Sequence, residues 1–207
     1  MVKMKESATE QKILRAARPV FQQQGYAGAR MRDIADQAGI NKGLLHYYFK
    51  SKEKLFEAIF QEAYLKIVRR VNETFTSDIP LFEKIDAFID AYIDLLEGDP
   101  NLLSFVISEL NRSPDEFTEM LRSIKQEVSP RADAFAASVE EEVRLGHIRP
   151  VAPNHLLVNI VSLCAFPVIG QHFMREMLDT TDRDMKWFLA ERKRSVSEFI
   201  RHSLTKP

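Results

Sequence analysis

One cysteine, Cys164, stands in 207 residues, so no internal disulfide can form and a disulfide-stapled scaffold is excluded. Glycine and proline are sparse, seven and nine respectively, which excludes collagen-like and low-complexity chains. No stretch alternates apolar and polar residues as a half-buried strand would. The opening MVKMKESATEQK has no apolar run of the kind a secretory leader carries. A single thiol and no leader make a reducing, cytoplasmic setting the expectation. Nor is one charge sign in excess: 29 Lys and Arg face 30 Asp and Glu, net −1, which gives no hint of a nucleic-acid partner.

What is present is an ordinary globular composition, 45% apolar, 29% charged and 10% aromatic, at a length that fits one or two domains with a sizeable core. The near-zero charge averages two unlike parts. Residues 1–60 hold 11 Lys and Arg against 6 Asp and Glu, net +5, and the rest holds 18 against 24, net −6. Between Arg149 and Arg175 there is no charged side chain at all, a run long enough to span a bilayer. It also contains Pro150, Pro153, Asn154, His155, Asn159, Ser162, Pro167, Gly170, Gln171 and His172. So many polar and helix-breaking groups favour a helix buried at a protein interface over a membrane span.

Apolar residues recur at i, i+3, i+4 and i+7 almost throughout, so the expected fold is all-α, with about nine helices. Ser7 and Glu10 have capping-box spacing ahead of a helix that buries Ile13, Leu14, Ala17, Val20 and Phe21 and stops at Gly25. Pro19 inside it predicts a bend or a widened turn. Short helices come next, over about 31–38, ending at Gly39, and from Asn41 to about Phe49; Ser51 caps a longer one reaching 77–80. Further helices are expected at about 81–97, 101–111, 115–145, 154–174 and 181–204, bounded by Gly-, Pro- and Asp-rich breaks.

The two short helices and the corner Ala38-Gly39-Ile40-Asn41 form a helix-turn-helix, with Ile34, Ala35, Ala38, Leu45 and Phe49 as its small core. The residues left outward on the second helix are Lys42, Gly43, Leu44, His46, Tyr47 and Lys50, a basic and aromatic face without an acid. Such a helix can enter the major groove, with Asn41, Lys42 and Leu44 as readers of base edges. Gly43 lets the backbone approach closely, and Tyr47, Tyr48, Lys50 and Lys52 suit phosphate oxygens. Tyr48 and Phe49 also fit a purely core role, and Lys52, Glu53 and Lys54 a solvated helix start.

The string ILRAARPVFQQQGYAGARMRDIADQAGINKGLLHYYFKSKEKLFEAI resembles the N-terminal domain of the TetR family of transcriptional regulators. The resemblance implies a three-helix DNA-binding domain (1–52), a larger helical effector-binding and dimerisation domain (53–207), and a homodimer on a palindromic operator. It places the groove-facing positions on Arg32, Lys42, Gly43, Leu44, His46 and Tyr47, and phosphate contacts on Tyr48 and Lys52. The chain departs from the family where Thr or Ser is common: Ala29 and Arg30 supply no hydroxyl cap, and Arg30 replaces it by charge. His46 stands where Tyr is usual, and Leu44 where a small or hydroxylated residue is.

In the second part, Phe88, Tyr92, Phe105, Phe117, Met120 and Phe166 are candidates to line a pocket for a small apolar or amphipathic effector. Asn111, Arg112, Asn159 or His172 could orient its polar end. Leu157, Ile160, Val161, Cys164 and Val168 on one helix, with Phe188, Val196 and Phe199 on the last, are the expected dimer interface, a four-helix arrangement as in the family. An enzyme is the main rival class. The scattered histidines (46, 147, 155, 172, 202), with no phosphate loop, zinc spacing or nucleophile elbow, give it no support, so no catalytic residue, metal or cofactor is expected. The other rival is a helical lipid- or protein-interaction module without specific DNA binding. The reading these features favour is a repressor released from its operator by an effector.

Overall fold

Ten helices and no strand make up the described residues, 8–112 and 132–205, of the computed structural model. They are α1 (Ala8–Gly28), α2 (Met31–Gln37), α3 (Lys42–Tyr48), α4 (Lys52–Phe75), α5 (Leu81–Gly98), α6 (Pro100–Arg112), α7 (Ala132–Arg144), α8 (Pro153–Ile169), α9 (Gln171–Leu178) and α10 (Asp182–Leu204). The capping pair Ser7–Glu10 and the first half of the helix expected at 115–145 lie outside the described residues. The described residues form two compact units, one of residues 8–65 and 104–112, the other of 66–103 and 132–205. Helices α4 and α6 each supply residues to both.

In the first unit α1 buries Ile13, Leu14, Ala16, Ala17, Val20 and Phe21, a stripe at helical spacing. Against it pack Ile34 and Ala35 of α2, Leu45 of α3, Phe49, and Leu55, Phe56, Ile59 and Phe60 of α4. Phe56 is the aromatic centre, edge-on to Phe21 and Tyr26, both at 5.1 Å, and to Phe105 at 5.7 Å. Pro19 sits within α1, yet the one residue there with non-helical dihedrals is Gly25, at φ 65 and ψ 178. The break therefore falls at the glycine, which tolerates positive φ, rather than at the proline.

The second unit is organised around α5. Phe75 stacks on Phe88 at 5.1 Å and on Phe135 at 4.8 Å, and Phe88 stacks on Tyr92 at 5.3 Å. Ile85, Ile89 and Ile93 extend this core to Val139, Leu156, Ile160, Cys164, Val196, Ile200 and Leu204. Polar ties run along its flank: Asp86 accepts from Ser197 and Arg201, Lys193 pairs with Asp94 at 2.5 Å, and Lys84 donates to Ser138 at 2.9 Å. Helix α10 begins in a capping box, the Thr181 hydroxyl accepting from the Asp184 amide while the Asp184 carboxylate accepts from the Thr181 amide.

The uncharged run differs from the single helix expected over 154–174. It is two helices, α8 and α9, bent by 78° at Gly170, and no single described helix is long and apolar enough to cross a membrane. Pro167 starts the break, because it has no N–H to give the Leu163 carbonyl one turn earlier. That carbonyl instead accepts from Arg192 Nε of α10 at 3.2 Å.

Candidate nucleic-acid interface

The corner between α2 and α3 is built by its backbone. Gly39 lies in the left-handed region at φ 58, and its amide donates to Asp36 O at 3.0 Å while the Ile40 amide donates to Ala35 O at 3.1 Å. This double bond pattern closes the end of α2 and needs a residue that accepts positive φ. Two residues on, the Asn41 side chain accepts from the Leu44 amide at 2.8 Å and caps α3. Leu45 and Phe49 then point into the core, which fixes the rest of α3 outward.

The outward residues are Asn41, Lys42, Gly43, Leu44, His46 and Tyr47, all exposed, with Lys50 just beyond the helix. Tyr47 is 69% exposed, unusual for so large an aromatic. It packs edge-on to Tyr48 at 5.4 Å, and Lys50 Nζ lies 5.1 Å from its ring centre while donating to its carbonyl at 2.9 Å. No acid lies on α3. Arg30 is exposed at the start of α2 and gives it no side-chain cap, consistent with the missing hydroxyl; Arg32 is exposed beside Asp36, 3.8 Å away.

Three of the expected contact residues are placed less freely. Tyr48 is half-buried, and Asn41 commits its carbonyl oxygen to the cap. Lys52 donates to Ala29 O at 3.0 Å and stands over the Tyr26 ring at 4.4 Å, holding the link between α1 and α2 against α4. Beside it the Tyr26 hydroxyl donates to Glu53, and that bond, with help from Ser51, holds the Glu53 carboxyl down at about 2.

The expected effector residues are not brought together. Phe88 and Tyr92 are core residues of the second unit, Phe105 is core of the first, and Phe166 is 54% exposed. Phe117 and Met120 lie outside the described residues. Burial pushes the Tyr92 hydroxyl up to about 12.

The expected interface set divides by face. Ile160, Cys164, Val168 and Val196 belong to the chain's own core, none more than 3% exposed, and so cannot meet a partner. Leu157, Val161 and Phe188 are half-buried, and Phe199 is 62% exposed. The large apolar residues left uncovered on α8, α9 and α10 are instead Val158, Phe166, Ile169, Phe173, Met177, Leu178 and Trp187 with Phe199. The signal that could have found them was the face of α8 opposite its most aliphatic stripe, where Val158, Ser162, Phe166 and Ile169 fall together.

A glycine-cornered helix pair with a basic, aromatic and acid-free second helix defines a helix-turn-helix DNA-binding protein. Residues 13–59 match the family model described as bacterial regulatory proteins of the tetR family, and residues 82–200 that of the tetracyclin repressor-like C-terminal domain. The HTH-type transcriptional regulator RutR of Escherichia coli O157:H7 is 32% identical over 158 residues, 74% of this chain and 71% of that protein. The fatty acid metabolism regulator protein of Bacillus subtilis is 31% identical over 112 residues, 54% of this chain and 58% of that protein. The crystal structure of the transcriptional regulator FadR from Bacillus subtilis, in complex with stearoyl-CoA, shares the fold: TM-score 0.67 at 24% identity, covering 93% of this chain and 98% of that one. The chain belongs to the TetR family of transcriptional regulators, and is a DNA-binding regulator.

Proposed function

We propose that the chain is a cytoplasmic, homodimeric repressor that binds a palindromic operator and is released by an apolar or amphipathic effector. The observation that carries this reading is the exposed face of α3, fully outward, basic at both ends and free of acids. Residues 1–52 serve as the DNA-binding domain and 53–207 as the effector-binding and dimerisation domain.

Lys42, Leu44, His46 and Tyr47 read base edges, and Gly43 admits the backbone. Arg32 faces the groove, and Arg30, Tyr48 and Lys50 meet phosphates, which position the helix without specifying sequence. Two recognition helices about 34 Å apart address half-sites one turn of duplex apart. The exposed apolar residues of α8, α9 and α10 supply the surface for pairing two copies.

The FadR structure holds stearoyl-CoA, which makes a long-chain acyl thioester the first compound to try. Helix α4 supplies residues to both units, so a ligand that shifts its C-terminal half also moves its N-terminal half. Full switching needs a differential affinity of about 5.5 kcal/mol between the two states.

Selection of genomic fragments on the purified protein tests the reading. Retained fragments should share a palindrome, and affinity should fall steeply with salt as phosphates are neutralised. Equal affinity for the best fragment and for random duplex would overturn it. Stearoyl-CoA should release the recovered operator, and retention at saturating acyl-CoA would remove that effector class.

A further inference from the structure

A lysine outside the helix-turn-helix stands at its corner. A β-carbon placed on Gly39 would lie 3.6 Å from Lys12 Nζ, so the ammonium of this α1 residue rests on the turn between α2 and α3. Lys12 is exposed and makes no hydrogen bond or ion pair among the described residues. Gly39 is itself exposed and offers no side chain to shield the ammonium.

The corner leads directly into the recognition face, which gives the position its interest. Asn41, Lys42 and Gly43 form the exposed start of α3, and Gly39 is separated from Lys42 by at most about 11 Å of backbone. A duplex close enough to meet that first turn carries a phosphate charge every ~1.7 Å along its axis. Its backbone therefore passes within about 15 Å of the Lys12 ammonium, a gap that the lysine's own flexible side chain can shorten. Among the described residues Lys12 has no acid to satisfy it first, unlike Arg18, which pairs with Glu62, and Arg32, which lies beside Asp36.

We propose that Lys12 is a DNA phosphate contact, which extends the footprint from the helix-turn-helix onto α1. The inference rests on the proposed DNA binding by α3 and concerns affinity, not sequence choice. The competing role is a purely internal one: a cation near the last carbonyls of α2 stabilises that helix end by its charge alone.

The two roles separate in salt titrations of the full chain. The probes are the duplex recovered by selection and a random-sequence duplex, with affinity measured over about 0.05 to 0.3 M salt. Lys12→Ala should lower the slope of log affinity against log salt by about 1.8, about 0.9 for each subunit of the dimer, and weaken binding several-fold near 0.1 M salt. Lys12→Glu should weaken it more, and Lys12→Arg should restore the slope. The ratio of selected to random affinity and the melting temperature should stay as in the parent.

An unchanged slope in Lys12→Ala, with a lowered melting temperature or without one, overturns the proposal. If the parent chain itself fails to distinguish the selected duplex from the random one, the DNA-binding reading falls and takes this contact with it. If the parent distinguishes them and the slope does not move, Lys12 alone is removed from the interface.

Discussion

The Glu53 carboxyl, ordinarily near 4.5, is held at about 2, first by the Tyr26 hydroxyl and then by Ser51. A carboxylate held below its unfolded value adds stability that is complete above about pH 4.5 and disappears as pH falls toward 2. Tyr26→Phe should therefore be less stable than the parent at neutral pH, and the gap should close between pH 4.5 and about 2. Chemical denaturation across that range measures it, and a gap independent of pH would show that the hydroxyl acts only by packing. Cys164 is a second residue with a clear expectation. It is fully buried, and burial pushes its thiol up to about 12 from 9.0. At pH 8 so little thiolate is present that a disulfide reagent should leave the folded chain untouched and label it once denaturant is added. Rapid labelling of the folded chain would place Cys164 near solvent.

At the scale of elements, the bend between α8 and α9 combines a missing donor with a borrowed one. Pro167 frees the Leu163 carbonyl, and Arg192 from α10 fills it at 3.2 Å. Arg192→Met should cost about 1–3 kcal/mol, because a part-buried carbonyl loses its charged donor. Pro167→Ala supplies the absent N–H, so the loss from Arg192→Met should shrink in that background. Urea unfolding of the four forms gives the coupling, and strict additivity would show that the two sites do not share the carbonyl. The same bend explains what was hard to read from the chain. The helix-turn-helix was legible because Gly39 and Asn41 carry their cap chemistry in their own side chains or lack of one. Helix α8 has only a few polar residues, His155, Asn159 and Ser162 among them, to mark its outer face amid many apolar ones, a weak signal that leaves Ile160, Cys164 and Val168, which belong to the core, hard to assign from sequence. Lys52 presents the same difficulty. Its cationic end suits a phosphate as well as the Ala29 carbonyl, and only the packing of α1 against α4 decides between them.

For the whole molecule, the division of charge and the uncovered apolar surface bear on the same property. The first 60 residues carry net +5 and the rest net −6, so a duplex is attracted to one end of the sequence and repelled by the remainder. One reading head of seven-residue helices offers few base contacts, and a second copy doubles them while adding the spacing of two half-sites. The surface proposed for that second copy is the set of apolar side chains on α8, α9 and α10 that the chain does not cover itself, Phe166, Trp187 and Phe199 among them. Because they are already exposed, charge placed there should leave the fold intact, whereas charge at the buried Ile160 would unfold it. Phe166→Asp combined with Phe199→Asp should give a monomer by sedimentation with unchanged helicity. Its binding to a palindrome should fall to that of a single half-site, by a factor of tens or more, while binding to an isolated half-site stays as before. A double variant that keeps the parent's mass and palindrome affinity would move the pairing surface off this face. A variant that becomes monomeric yet still prefers the palindrome would show that the two copies meet on DNA rather than before it.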